Sequence, residues 1–405
     1  MHAVNRAVDS RYAWARLCAS VTLSALGAVG LWGVVVVFPA VQSEFHATRA
    51  EVSFSYTTTM LGFGVGSILL GRLIDRYGAF HTMLLAACLV AGGHVLAGMA
   101  TSLWLFALIQ GVLIGVGSAA SFMPLVADTS HWFAKRRGLA MAICASGNYI
   151  GGAAWPKIID ALGRHYDWRT TYFVVAAICI STMVPMCFAL RARSPATPGG
   201  ATAGAPHSPR SLGLSPNGLQ ALLAVAGVGC CVAMAMPQVH IVAYCMDLGY
   251  GTSRGSDMLS IMTACGVVSR ISFGFVADRI GGVKTVLLSS TLQGIALCGY
   301  LVSDSLVSLY VVSALFGLMQ GGIVPSYGVI VREYFPPREA GTRMGIAVSA
   351  TIVGMALGGW MGGALFDATG SYHAAFINGI AWNALNGALI WWLLSRQNRR
   401  RVFAA

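Results

Sequence analysis

The chain has 405 residues, of which 10% are charged and 56% apolar, with a mean hydropathy of +0.70 and 49 glycines. A soluble globular protein carries roughly 25% charge, so no water-facing surface can be built from this composition, and the apolar content excludes disorder for most of the chain. Ten cysteines lie inside apolar runs without metal-ligand spacing, which excludes a disulfide scaffold and a zinc module and leaves a polytopic membrane protein.

A helix needs about 20 apolar residues to cross roughly 30 Å of hydrocarbon. Twelve such runs follow in order: 17–39, 52–74, 80–100, 102–127, 138–161, 170–190, 218–246, 256–277, 283–302, 305–331, 341–366 and 372–394. They are twice the length of a barrel strand, so they are predicted as helices. The first run follows Arg6, Arg11 and Arg16 but has no small-residue cleavage signature, and is expected to be retained. Residues 191–216, rich in Pro, Ala, Gly and Ser, form a linker between two six-helix halves, 1–190 and 217–405.

Tallied over alternate loops, 20 of the 26 Lys and Arg residues fall on the side of the amino terminus. Arg49, Lys157, Arg164, Arg169 and Arg254 fall on the other. The positive-inside rule then places both termini in the cytoplasm, with the bacterial inner membrane as the expected location. Orientation accounts for the net charge of +12 without nucleic acid. One arginine is left over, Arg270, inside span 8.

The end of span 2 reads Gly71-Arg-Leu-Ile-Asp75-Arg76-Tyr-Gly78, and that of span 8 reads Gly274-Phe-Val-Ala-Asp278-Arg279-Ile-Gly281, an offset of 203. Trp132-Phe133-Ala-Lys-Arg136 and Tyr334-Phe335-Pro-Pro-Arg338 recur at 202 after spans 4 and 10. Spans 5 and 11 share a glycine ladder, Gly138, Gly147, Gly151 and Gly152 against Gly345, Gly354, Gly358 and Gly359. The chain is thus a tandem duplication. In each copy the Asp can accept hydrogen bonds from a neighbouring helix N-terminus while its Arg reaches a carboxylate or headgroup. The ladders allow either sliding or static close packing of helices.

With this doubled motif the chain resembles the major facilitator superfamily over essentially its whole length. The resemblance implies an all-α membrane protein of two pseudo-symmetric six-helix bundles working by alternating access. It also implies gating by Asp75, Arg76, Asp278 and Arg279, joined by Asp128 at the inner end of span 4 and by Arg136 and Arg338. Ala79, Phe80 and His81 stand where the first motif usually continues with basic residues. Ala107 ahead of Gln110-Gly111, and Gly151-Gly152 where drug antiporters carry Gly-Pro, count against a drug exporter.

A charge as deep as Arg270 costs about 2.5–3.5 kcal/mol even on lenient insertion scales, so it needs a reason. Snorkelling and pairing with a carboxylate such as Asp128 are structural reasons; binding an anion is the functional one. Thr263, Gly266 and Gly274 share its helix face and leave room beside the guanidinium, whose planar fork suits a carboxylate. The run Arg270-Ile-Ser-Phe-Gly274, together with Pro237-Gln238-Val-His240, is similar to the monocarboxylate transporter and oxalate/formate exchanger group. That implies a small organic anion bound by Arg270. Gly266 stands where proton-coupled members carry Asp, which leaves the route of any coupled proton open, and the absence of a second cation in span 11 counts against oxalate.

His240 is expected either to bind substrate or a coupled proton, or to be a neutral packing residue. Asn148 and Tyr149 in span 5, and Tyr327 after Pro325 in span 10, are either cargo contacts or interhelical glue. No cofactor, metal or catalytic constellation is expected, and a monomer in the bilayer is. A carrier of a drug, sugar or nitrate, or a transport-dead membrane sensor, remains the alternative.

Overall fold

In the computed structural model, residues 8–192, 214–336 and 339–404 are described. They form twelve long helices: α1 Arg11–Phe45, α2 Arg49–Tyr77, α3 Ala79–Gly98, α4 Leu103–Thr129, α5 Arg137–Gly163, α6 Trp168–Leu190, α7 Pro216–Asp247, α8 Gly251–Ile280, α9 Gly282–Leu301, α10 Leu306–Tyr334, α11 Ala340–Thr369 and α12 Tyr372–Ala404. Among the described residues, nine helices are apolar enough over 18 residues to cross a membrane by composition alone. The other three are α5, α9 and α12, which are diluted by residues such as Asn148, Ser289, Gln293 and Asn383. Arg338 and residues 193–213 of the expected linker lie outside the described residues.

The helices overrun the apolar windows. α12 runs for 33 residues, about 50 Å, because backbone hydrogen bonding continues past the hydrocarbon edge that hydropathy detects. Their starts are local. Thr48 and Glu51 form a capping box on α2, Ser102 caps α4 and Ser305 caps α10. Asp167 caps α6, and the Thr170 hydrogen bond holds its carboxyl below the usual range. Gly78 and Gly281, the last residues of the two motif copies, take φ of 85° and 83° and turn the chain into the next helix within one residue.

Packing divides the chain into two units. One comprises α1–α6 with residues 241–264; the other comprises the described residues to His240 together with Cys265 onward. In the first unit α3 packs on α6, α2 on α4 and α1 on α5; in the second α9 packs on α12 and on α10. One contact is built twice. A Cβ at Gly147 would lie 2.7 Å from the Val21 carbonyl and 2.6 Å from Ser24 Cβ; at Gly354 it would lie 2.6 Å from the Val228 carbonyl and 2.8 Å from Cys231 Cβ. Gly151 against Ala25 and Ala28, and Gly358 against Val232 and Ala235, repeat it one turn on. Every member of each contact is displaced by 207 residues, so the duplication legible in the sequence is a duplication of packing.

Candidate functional site

α10 is not one helix. It breaks at Gly321–Gly322, between Leu306–Gln320 and Ile323–Tyr334, and Pro325 cannot donate the bond that would close the next turn. α4 breaks at the related place, Ser121–Phe122, followed by Pro124, with a π-helical stretch over Gln110–Gly115 before it. Corresponding interruptions in two repeats mark where freed backbone groups can meet a ligand.

In the second unit the break lies against the arginine. The Gly321 N–H donates to Ser269 Oγ at 3.0 Å, and a Cβ at Gly321 would sit 2.9 Å from the Arg270 backbone nitrogen. At Gly322 it would run into the Phe273 ring. α8 therefore presents half-buried Arg270, ten residues from its inner end, alongside the interrupted helix. Thr263, two turns earlier, belongs to the first unit. It is buried, its hydroxyl bonds the Leu259 and Ser260 carbonyls, and its methyl packs on Gly152. Gly266 is buried on the same helix.

His240 is 1% exposed. Its Nε2 lies 2.9 Å from the Gly359 carbonyl, its ring fills the space a Cβ at Gly362 would need, and it packs against Tyr372. That carbonyl requires a donor, so Nε2 carries the proton. Tyr327 turns toward α12, its hydroxyl donating to Asn386 Oδ1 at 3.2 Å, while Asn386 and Asn383 bond Ser290 of α9. In the first unit Tyr149 is buried with its ring 6.3 Å from Trp32. Asn148 beside it is half-buried and makes no hydrogen bond among the described residues.

Asp75, Arg76, Asp278, Arg279 and Arg136 are all exposed. Among the described residues neither Asp75 nor Asp278 forms a hydrogen bond or ion pair; Arg76 rests on the Tyr77 ring. The N–H of Gly282 is taken by Glu333 at 3.3 Å, and cavities of about 310 Å³ beside Arg279 and Lys284 and about 450 Å³ beside Glu44 and Asp160 flank the ends of the helices. Asp128 binds Arg16 at 2.8 Å, both buried, and the Arg16 guanidinium stacks 4.5 Å over Trp132.

Several contacts escaped the linear reading. Arg16 looked like an orientation charge, yet it is 3% exposed. The outer basic residues are each paired: Arg49 with Asp247 at 2.7 Å, Lys157 with Asp257 at 3.3 Å, Arg254 with Asp257 at 4.0 Å, Arg164 with Asp160 and Arg169 with Glu44. Gln238 and Gln320 join at 2.8 Å beside the break. Arg164–Asp160 and Arg254–Asp257 are one helical turn apart, but the other partners lie between 82 and 198 residues away and leave no local signal; the Gln-Gly-Gly before Pro325 could have pointed to Gln320.

Doubled helices, doubled motifs and doubled interruptions define a membrane carrier of the Major Facilitator Superfamily, and the chain belongs to that family, matching it over residues 20–273 and 247–404. It is an integral membrane secondary transporter, not an enzyme. Monocarboxylate transporter 13 of Rattus norvegicus is 28% identical over 91% of this chain and 86% of that protein. The agnestins efflux protein AgnL12 of Paecilomyces divaricatus is 25% identical over 84% and 78%. A mutant of the nucleoside transporter NupG shares the fold, with a TM-score of 0.70 at 13% identity over 94% of this chain and 99% of that one.

Proposed function

We propose that the protein carries small organic anions, monocarboxylates foremost, by alternating access of the repeats 1–190 and 217–405, with Arg270 binding the carboxylate. The observation that carries this is the permanent charge of Arg270 at mid-helix, half-buried and packed beside the break in α10. A guanidinium there is disfavoured by lipid and gains from an anion, and a single charge matches a monovalent one. The likeness to a monocarboxylate transporter supports the same cargo. Asp75 and Arg76, with Asp278 and Arg279 of the second copy, all exposed, serve as latches of the outward-open state. The two relatives named above are mammalian and fungal, so a plasma membrane with cytoplasmic termini is proposed without assigning it to bacteria.

Uptake of labelled lactate, pyruvate and benzoate into proteoliposomes tests this. Arg270→Ala is expected to lower carboxylate flux at least about tenfold, with Arg270→Lys in between, since a charge-assisted hydrogen bond contributes roughly 1.5–3 kcal/mol. Flux in Arg270→Ala equal to the parent's would end the proposal. Imposing a pH gradient separates proton symport, which it accelerates, from exchange, which needs acid on both sides. The fungal efflux relative favours outward movement as a second reading, tested by preloading the vesicles.

A further inference from the structure

α7 sends two polar side chains, two residues apart and about 160° apart around the helix, to different neighbours. His240 goes to α11. Gln238 goes to α10, where its Nε2 donates to Gln320 Oε1 at 2.8 Å. Gln320 is the last residue of the first segment of α10 and is 0% exposed, and its own Nε2 has no acceptor among the described residues. Folded proteins rarely leave a buried amide donor idle, so this one calls for a partner. The next residue, Gly321, is the one that bonds Ser269 and abuts the Arg270 backbone. The idle donor therefore stands one residue from the contact between α10 and the arginine segment, where the helix is interrupted.

We propose that Gln320, oriented by Gln238, reads the cargo: its Nε2 donates to an uncharged hydroxyl or keto oxygen on the acid whose carboxylate Arg270 holds. This rests on the carboxylate reading of Arg270. Because Gln238 occupies Gln320 Oε1, the amide is presented donor-first, and an acid without the second oxygen leaves the donor buried and unpaired. The pair thus separates oxygenated acids from plain alkanoates.

The test compares uptake of butyrate, 2-hydroxybutyrate and 3-hydroxybutyrate by proteoliposomes of the parent, Gln320→Met and Arg270→Ala. The parent is expected to prefer one hydroxy acid over butyrate about tenfold or more, and Gln320→Met to reduce that ratio about tenfold. Should Gln320→Met not purify as a monodisperse protein, Gln320→Asn, whose amide is withdrawn by one methylene, is read by the same ratio. An unchanged ratio in the variant, or no preference in the parent, overturns the role of Gln320 and leaves Arg270 standing. Parent vesicles carrying none of the three acids, or Arg270→Ala matching the parent, overturn the carboxylate reading and this inference with it.

Discussion

Two arginines have the same chemistry and differ in burial: Arg270 is half-buried and Arg16 fully buried. Arg16 is enclosed: Asp128 at 2.8 Å, the Ala192 carbonyl at 3.2 Å and the Trp132 ring account for its charge. It ties the start of α1 to the inner end of α4. Removing one partner of such a pair strands the other charge, so Arg16→Met should destabilise by about 3–5 kcal/mol, and adding Asp128→Leu should recover much of the loss. Thermal melting in detergent checks the pair. Asp128, which the sequence offers as a partner for Arg270, has its recorded ion pair with Arg16. Arg270 itself was legible because it is the one basic residue that topology does not place at a membrane surface. The surroundings of His240 were not, because whether α7 turns it toward a cavity or toward α11 depends on helix rotation, which one histidine does not encode.

At the scale of elements, the glycine ladder separates into two kinds of position. Gly151 and Gly358 lie directly against the carbonyls of α1 and α7, whereas Gly138 and Gly345 have nothing within 4 Å of a Cβ. Gly358→Leu should therefore force the helices apart and lower stability by about 1–3 kcal/mol or more. Gly138→Ala should be tolerated and gain up to about 1 kcal/mol of helix propensity. A periodic run of glycines in sequence cannot make this distinction, since close approach is a property of two helices. Asp75 and Asp278 belong to the same scale. Both are exposed and make no hydrogen bond or ion pair among the described residues, so Asp75→Asn should leave the stability within about 0.5 kcal/mol of the parent while changing the transport rate. An equal rate would remove its latching role.

For the whole molecule, the distribution of charge carries two messages. The excess on the side of the amino terminus carries the expected orientation, and it is read from the placement of Lys and Arg between the spans. The five basic residues on the outer side oppose that rule, and ion pairs explain their presence; Arg49–Asp247 and Lys157–Asp257 hold residues 241–264 onto the first six helices. Exposed pairs are each worth about 0–1 kcal/mol and are weakened by salt. Arg49→Gln with Lys157→Gln should accelerate hydrogen exchange across residues 247–257, as should high salt in the parent, with little change in α9 or α12.

The sequence by itself determined twelve helices, the duplication and the position of Arg270 inside a span rather than in a loop. Each follows from a quantity that accumulates along one segment: apolar length, loop charge, recurrence at a fixed offset. Tertiary structure alone decided that the arginine lies beside a broken helix, that His240 packs while Gln238 meets Gln320, and that the outer basic residues are paired. Those facts depend on how helices rotate about their axes and which neighbours they meet. Burial of polar groups selects among such rotations only when all the partners are present at once.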